Sequence, residues 1–200
     1  MGYQYSMTAI DSICVYCGSG FGTNPKHRAV AQRLGELLGR NGIRLVYGGG
    51  RVGLMGVIAD AALAQGGRVV GVIPKHLQTK EVGHHGVSDL RVVPNMHERK
   101  ELMFKLSDGF VILPGGFGTL DETFEMLTWR QLRLHDKPII LLDNDGYWAP
   151  FVRLNEHIVE QGFARPEALA LYAVVGDVEE VIPTLRGAPE PTVPDDVKRL

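Results

Sequence analysis

The stretch Leu113–Glu125, with the sequence LPGGFGTLDETFE, decides the fold. It follows an apolar segment, residues 109–113, that we predict to be a buried strand. Pro114 ends that strand because proline has no N–H for a sheet ladder. The glycines that come next allow backbone conformations that side chains forbid, and let another molecule approach the main chain closely. Thr119 and Glu122 have the T-x-x-E spacing of a capping box, so we predict a helix with Thr119 as its N-cap.

A glycine turn that opens a helix is suited to binding an anion. The unpaired N–H groups of the first helical turn lie beside the positive end of the helix dipole, which favours a group such as phosphate. We therefore predict that the amides of residues 116–119, and the Thr119 hydroxyl, bind a phosphate. The alternative is a tight strand–helix turn with a well-capped helix and no ligand.

The rest of the chain repeats the order strand, glycine turn, helix. The strand predicted at residues 12–16 runs into CGSGFG, and the strand predicted at residues 43–47 runs into GGGRVGLMG. Strands that alternate with helices predict an α/β fold, a Rossmann-like parallel sheet with helices on both faces. Because the glycine turns all follow strands, we expect them to meet at the carboxyl edge of the sheet, where such folds bind ligands.

We expect one domain that spans residues 11–186, with flexible tails at residues 1–10 and 187–200, the second of which is rich in proline. A chain of 200 residues with 44 % apolar and 22 % charged residues is typical of a globular protein. Its net charge of −2 argues against a nucleic-acid polymer as partner. No apolar run reaches the roughly 20 residues that cross a bilayer, and two cysteines cannot form a disulfide framework. We therefore expect no membrane partner and a cytoplasmic protein.

Two other ligand classes are disfavoured by the sequence. Gly48, Gly50 and Gly53 match the G-x-G-x-x-G pattern of dinucleotide sites, but no carboxylate follows about 20 residues later at the end of the next strand. The neighbouring histidines His84 and His85 have no metal-ligand spacing elsewhere, so we interpret them as a solvated loop pair. We expect neither a metal nor a cofactor.

The helix predicted at residues 96–106 carries a charged residue on its apolar face. Arg99 lies within a stripe formed by Met96, Leu102, Met103 and Leu106. A cation rarely faces inward without a partner. Arg99 therefore forms a structural salt bridge, extends its guanidinium to solvent, or grips a carboxylate or phosphate in a cleft. Glu122 is the candidate carboxylate.

These segments resemble the LONELY GUY family of cytokinin riboside 5′-monophosphate phosphoribohydrolases, long described as lysine decarboxylases. PGGFGTLDE matches the family pattern P-G-G-x-G-T-x-x-E, and CVYCGSGFG, YGGGRVGLMG, MHERK and TWRQL extend the resemblance over roughly residues 13–183. KEVGHHGV stands where the family often has G-E-T-x-G. The resemblance implies hydrolysis of the N-glycosidic bond of a nucleoside 5′-monophosphate, with release of the base and ribose 5-phosphate.

The resemblance also implies a set of functional residues. Glu122 would stabilise the positive charge that develops on the ribose and Arg99 would hold it, with Asp121 and Glu125 as rivals for the catalytic carboxylate. The implied substrate-binding residues are Glu81, Lys100, Gly115, Gly116, Phe117, Gly118, Thr119, Leu120, Asp121 and Thr128. A homodimer is expected, with the helices near Trp129 as its interface. The alternative function is a nucleotide or cofactor carrier of the same fold that binds without cleaving.

Overall fold

The computed structural model describes residues 9–78 and 82–189, and its centre is one seven-stranded parallel sheet. The strands are β1 Ser12–Tyr16, β2 Arg44–Tyr47, β3 Val69–Pro74, β4 Asp89–Val93, β5 Gly109–Ile112, β6 Ile139–Leu142 and β7 Ala173–Val175. The helices are α1 Lys26–Arg40, α2 Gly53–Ala64, α3 Met96–Lys105, α4 Phe117–Gln131, α5 Ala149–Glu160 and α6 Val181–Arg186. Short 3-10 turns lie at Pro166–Ala170 and Val178–Glu180.

Helices cover both faces of the sheet, as the sequence predicts. Alternate residues of β1 point to opposite sides, so that Ile13 joins the core under α1, α2 and α6 while Cys14 joins the core under α3, α4 and α5. Both cores are built from buried aliphatic and aromatic side chains of the central strands. The predicted fold class, a Rossmann-like α/β fold, is confirmed.

The order of the strands fixes where a ligand can bind. The sheet runs β4-β3-β2-β1-β5-β6-β7, so the chain leaves β1 towards one edge and later returns to β5 to build the other edge. β1 and β5 pair directly, from Ile13 beside Gly109 to Tyr16 beside Ile112. The loops that follow these two strands diverge to opposite faces and leave a crevice between them, the usual ligand position in this class of fold.

The start of α4 differs from the prediction. The helix begins at Phe117 with Gly116 as its N-cap, and no side chain caps it. Thr119 cannot be the cap because its side chain is buried under Gly115: a Cβ at Gly115 would lie 2.1 Å from Thr119 Oγ1. Glu122 consequently lies in the second helical turn and closes no capping box. The capping-box prediction is wrong, and Glu122 has no role at the helix terminus.

The helix α4 ends at Gln131, and Arg133 beyond it has a left-handed φ of 60°. One further prediction of local structure is corrected. The interpretation of the two neighbouring histidines as solvated is wrong for His84, which is buried with its ring Nε2 2.9 Å from Asp60 Oδ1. Residues 1–8 and 190–200 lie outside the described residues, and with them most of the predicted tails. Within residues 9–78 and 82–189, no helix is long and apolar enough to cross a membrane.

Candidate active site at the carboxyl edge of the sheet

The three glycine turns meet at the carboxyl edge, as expected. The Gly18 N–H donates to the Pro114 carbonyl at 3.0 Å, and the Leu54 N–H donates to the Gly18 carbonyl at 3.1 Å. Gly53 has a φ of +60°, and a Cβ there would lie 2.2 Å from the Ser19 carbonyl carbon. The turns after β1, β2 and β5 therefore form one packed backbone platform, and glycine is required where they touch.

A cleft of about 490 Å³ opens between the loops after β1 and β5. It lies at the switch point that the strand order defines, and its walls are mostly backbone with a few polar and aromatic side chains. The lining residues are Gly18, Ser19, Gly20, Phe21, Gly22, Thr23, His27, Leu54, Pro114, Gly115, Gly116 and Tyr147.

Arg99 and Glu122 form a buried pair of opposite charges beside this platform. Arg99 is 6 % exposed and Glu122 is 7 % exposed, and Arg99 Nη2 lies 3.9 Å from Glu122 Oε1. Arg99 Nη2 also donates to the Gly48 carbonyl at 3.3 Å. A Cβ at Gly48 would lie 2.1 Å from Arg99 Nη2, so the glycine-rich turn after β2 houses the arginine. The sequence left open whether Arg99 extends to solvent or pairs with a carboxylate. Because its guanidinium is buried beside Glu122, extension to solvent is excluded and the carboxylate is its partner.

The Arg99 guanidinium keeps unused hydrogen-bonding capacity. Its Nε is buried and has no hydrogen-bond partner within the described part of the chain. Arg99 Nη1 lies 3.7 Å from Met96 Sδ, a weak acceptor. A guanidinium has five donors in a rigid fork, and among residues 9–78 and 82–189 the Gly48 carbonyl is the one strong acceptor within 3.5 Å of them. The arrangement leaves donors for a bound ligand.

The two rival carboxylates have a different partner. Lys100 Nζ lies 3.1 Å from Asp121 Oδ2 and 3.1 Å from Glu125 Oε1. Burial by itself lowers the pKa of Lys100, but the hydrogen bonds to Glu125 and Asp121 outweigh it and raise that pKa above its ordinary value. Asp121 and Glu125 are thus engaged by Lys100, and Glu122 is the carboxylate that faces Arg99.

The predicted phosphate-binding turn presents its backbone to solvent. Gly116, Phe117 and Gly118 are exposed, and no side chain caps the first turn of α4. The first N–H groups of a helix have no partner within the helix. Leu120 is half-buried, and Asp121 is exposed on the next turn. An anion can therefore reach this terminus without displacing a protein group.

Of the two remaining predicted site residues, the structure places one elsewhere and does not describe the other. Thr128 is exposed and lines a separate groove of about 130 Å³ between α4 and α5, together with Asn155 and Ile158. Glu81 lies outside the described residues, so its predicted contact with substrate stays a prediction. Within residues 9–78 and 82–189, no group of three or more His, Cys, Asp or Glu side chains has an arrangement that could hold a metal.

Sequence reasoning missed two side chains of the cleft. The Tyr147 hydroxyl donates to the Gly115 carbonyl at 2.5 Å, and the Tyr147 ring contacts His27 edge-on with 5.5 Å between ring centroids. His27 is 7 % exposed, and its Nδ1 has no hydrogen-bond partner within the described residues. Only its position in the chain indicated a role for Tyr147: it follows the strand β6 and therefore lies near the same edge of the sheet.

Fold and site together define a Rossmann-like protein whose carboxyl edge carries an exposed, uncapped helix terminus, with a buried arginine–glutamate pair beside it. A family model described as "possible lysine decarboxylase" matches residues 55–185. The cytokinin riboside 5′-monophosphate phosphoribohydrolase of Rhodococcoides fascians is 46 % identical over 176 residues, which are 88 % of this chain and 89 % of that protein. The phosphoribohydrolase of the same name from Arabidopsis thaliana is 44 % identical over 174 residues, 86 % of this chain and 81 % of that protein. The chain belongs to the LONELY GUY family, which confirms the resemblance seen in the sequence.

Solved structures of the same fold come from proteins with other names. The molybdenum cofactor binding protein of Rippkaea orientalis superimposes with a TM-score of 0.66 at 22 % identity, covering 88 % of this chain and 96 % of that one. The molybdenum cofactor carrier protein of Chlamydomonas reinhardtii gives a TM-score of 0.65 at 22 % identity, covering 88 % and 95 %. At this level of identity, the likeness establishes the shared fold.

Proposed function

We propose that the chain is a hydrolase that cleaves the N-glycosidic bond of adenosine 5′-monophosphates, including N6-modified ones, and releases the free base and ribose 5-phosphate. The observation that carries this proposal is the buried Arg99–Glu122 pair, 3.9 Å apart at the edge of the sheet where an uncapped helix terminus is exposed. The names of relatives at 46 % and 44 % identity support the same activity.

The chemistry follows from the charge that develops during the reaction. As the bond between the ribose anomeric carbon and the base nitrogen breaks, its electron pair leaves with the base and the ribose becomes oxocarbenium-like. Water then bonds to the anomeric carbon, and its proton goes to the base. Glu122 is the carboxylate that we assign to stabilise the cation and orient the water. Arg99 holds Glu122, and its Nη1, which contacts only the weak acceptor Met96 Sδ within the described residues, binds the ribose or phosphate.

The 5′-phosphate is assigned to the N-terminus of α4. Its first turn is exposed and uncapped, and the dipole of a 15-residue helix favours an anion there. Lys100 lies on the neighbouring helix α3, where Asp121 and Glu125 hold its ammonium and offset its charge, so the helix terminus and not Lys100 supplies most of the attraction for the phosphate. The residues 115–121 that were predicted to bind substrate form this terminus.

We also propose that the chain acts in the cytoplasm as a homodimer. Both cysteines are free and buried, which agrees with a reducing compartment. Large apolar side chains are exposed near the end of α4 and after α5, where Leu132 is 62 % exposed and Phe163 is 86 % exposed. Such side chains are typical of an interface. Light scattering is expected to give about twice the chain mass of 22.0 kDa, and Phe163→Glu is expected to give the single mass.

The test of the proposed activity is a product analysis with AMP and adenosine at equal concentrations. We expect adenine and ribose 5-phosphate from AMP in equal amounts, and a kcat/KM for adenosine at least 100-fold lower because the anion site is then unfilled. Equal kcat/KM values for AMP and adenosine would contradict the proposed phosphate site. Binding of AMP with no release of adenine, at any enzyme concentration tried, would favour the carrier function instead.

A further inference from the structure

The peptide bond between Gly115 and Gly116 has a fixed orientation in this structure, and one side chain fixes it. Tyr147 comes from the loop after β6, 32 residues away in sequence, and its hydroxyl donates to the Gly115 carbonyl at 2.5 Å. The Tyr147 ring is held in turn by edge-on contacts with His27 and Trp148, with centroid distances of 5.5 Å and 5.0 Å. Tyr147 is 41 % exposed, and these two contacts together with the hydrogen bond define the position of its hydroxyl.

Two glycines make this peptide prone to rotate. A flip of the plane between Gly115 and Gly116 changes ψ of the first residue and φ of the second, and glycine accepts both changes at little cost. The preceding peptide is already secured, because the Pro114 carbonyl accepts from Gly18 N–H at 3.0 Å. On the other side, the Gly116 carbonyl accepts from Leu120 N–H at 3.0 Å and belongs to α4. The Gly115–Gly116 peptide is the flexible link between these two anchors.

The tether decides which group this peptide offers to a ligand. In a planar trans peptide, the carbonyl and the following N–H point in opposite directions. Because Tyr147 draws the Gly115 carbonyl to its side, the Gly116 N–H points away from Tyr147, and within residues 9–78 and 82–189 it makes no hydrogen bond. With the plane reversed, a carbonyl oxygen would take its place, and a carbonyl repels an anion.

We propose that Tyr147 is a positioning residue that holds the Gly115–Gly116 peptide with its N–H available to the substrate phosphate. This inference rests on the proposed function for the identity of the anion. The tether prepares the anion site before substrate arrives, so the protein binds phosphate without first having to order the turn. Tyr147 itself touches the peptide and not the reacting bond.

The test is Tyr147→Phe, which removes the hydroxyl and keeps the ring between His27 and Trp148. We expect the dissociation constant for ribose 5-phosphate, measured by titration calorimetry, to rise about three- to tenfold, the loss of one neutral hydrogen bond. Adenine affinity is expected to stay within twofold, and KM for AMP to rise more than kcat falls. The matched control is Tyr172→Phe, which removes the hydroxyl of a half-buried tyrosine that packs on Phe151, and it is expected to leave all these values unchanged.

Each alternative outcome has a separate meaning. Unchanged ribose 5-phosphate affinity in Tyr147→Phe overturns the inference, since the ring alone then suffices. An equal loss of ribose 5-phosphate and adenine affinity also overturns it, because a general structural effect would not distinguish the two. If the wild-type protein binds ribose 5-phosphate but releases no base from AMP, the proposed hydrolase function fails, while the binding comparison still decides the role of Tyr147.

Discussion

Arg99 is a buried cation whose guanidinium lies between a backbone carbonyl and a carboxylate. Its Nη2 is 3.3 Å from the Gly48 carbonyl oxygen and 3.9 Å from Glu122 Oε1. Burying two charges costs several kcal/mol for each ion before their attraction offsets it, so such a pair contributes little to stability by itself. A distance of 3.9 Å, with donors left over, is poor geometry for a structural salt bridge. Both observations favour a pair that is completed by substrate.

The first prediction concerns the shape of this cation. Arg99→Lys keeps the charge but replaces the guanidinium fork by a single ammonium, which cannot contact Gly48, Glu122 and a ligand together. We expect kcat/KM for AMP to fall at least tenfold. Combined with Glu122→Gln, the loss should be little larger than for Glu122→Gln alone, because residues that act as one unit are non-additive. Two losses that multiply would show that the two residues act separately.

Sequence patterns identified Arg99 and Glu122, but they did not identify Tyr147 and His27 in the wall of the cleft. Arg99 was recognisable because a charge interrupts an apolar helical stripe, and Glu122 because it closes the glycine pattern. Nothing local marks Tyr147, whose partner Gly115 is 32 residues away and is contacted through a backbone carbonyl. His27 was likewise hidden, since only the tertiary contact with Tyr147 brings it into the cleft wall. Contacts between side chains and distant backbone leave no periodic trace in a sequence.

At the scale of the element, α4 is the helix on which the site depends. It starts at Phe117 because Gly116 takes the N-cap position and Thr119 is packed beneath Gly115. The glycines of this turn therefore differ in purpose. A Cβ at Gly115 would meet Thr119 Oγ1 at 2.1 Å and the Gly18 nitrogen at 2.9 Å, whereas one at Gly118 would meet no atom within 4 Å.

The second prediction follows from this difference. Gly115→Ala should lower the free energy of unfolding by about 1–3 kcal/mol, because the new methyl group forces apart two packed turns. Gly118→Ala should leave it unchanged or raise it by up to about 1 kcal/mol, because alanine is the better helix former. Urea unfolding of both variants measures the difference. A Gly115→Ala protein as stable as the wild type would mean that the turns are not packed as described.

Element positions were predicted better than element ends. Strand β1 was predicted at its observed bounds, and α3 begins at the predicted Met96 with Asn95 as its cap, whose side chain accepts from Glu98 N–H at 3.0 Å. Thr119 is a case in which a local pattern gives the wrong helix end. The T-x-x-E pattern is a local signal, but the tertiary packing of Thr119 under Gly115 outweighs it, and the N-cap lies three residues earlier, at Gly116.

For the whole molecule, the alternation of strands and helices was sufficient to predict a parallel sheet with two helical layers. The strand order was not predictable in the same way, because β1 pairs with both β2 and β5 through contacts that no sequence spacing encodes. That order is what creates the crevice of the candidate site. The sequence therefore predicted that the glycine turns share an edge, and the structure adds which two of them border the cleft.

The third prediction concerns the stability of the whole fold and its dependence on pH. His135 is buried against Phe104 and Phe110, with Nε2 donating to the Met126 carbonyl at 2.9 Å and Nδ1 accepting from Lys137 N–H at 3.1 Å. Burial lowers the pKa of His135 from 6.5 to about 4. The unfolded chain therefore binds a proton between pH 6.5 and 4 that the folded protein does not bind. The contribution of His135 to the free energy of unfolding is therefore full above pH 6.5 and decreases as the pH falls towards 4.

The measurement is urea unfolding at pH 7 and pH 5. The wild type should lose about 2 kcal/mol more between these values than His135→Gln, which has no proton to gain. His157→Gln, at a histidine whose side chain is 63 % exposed, serves as the control and should lose as much as the wild type. Equal losses in the wild type and His135→Gln would mean that His135 is protonated at the same pH in both states.

The most direct test of the account is the turnover of AMP by Glu122→Gln. Glu122 closes no capping box and glutamine has the same shape, so the protein should still fold, with a lower melting temperature because the buried Arg99 loses its charged partner. We predict at least a 100-fold lower rate of adenine release, equivalent to about 2.7 kcal/mol of transition-state stabilisation. Glu101→Gln, at a carboxylate of α3 that pairs with Lys105, should stay within about threefold of the wild type. A folded Glu122→Gln protein that releases adenine at the wild-type rate would contradict the account.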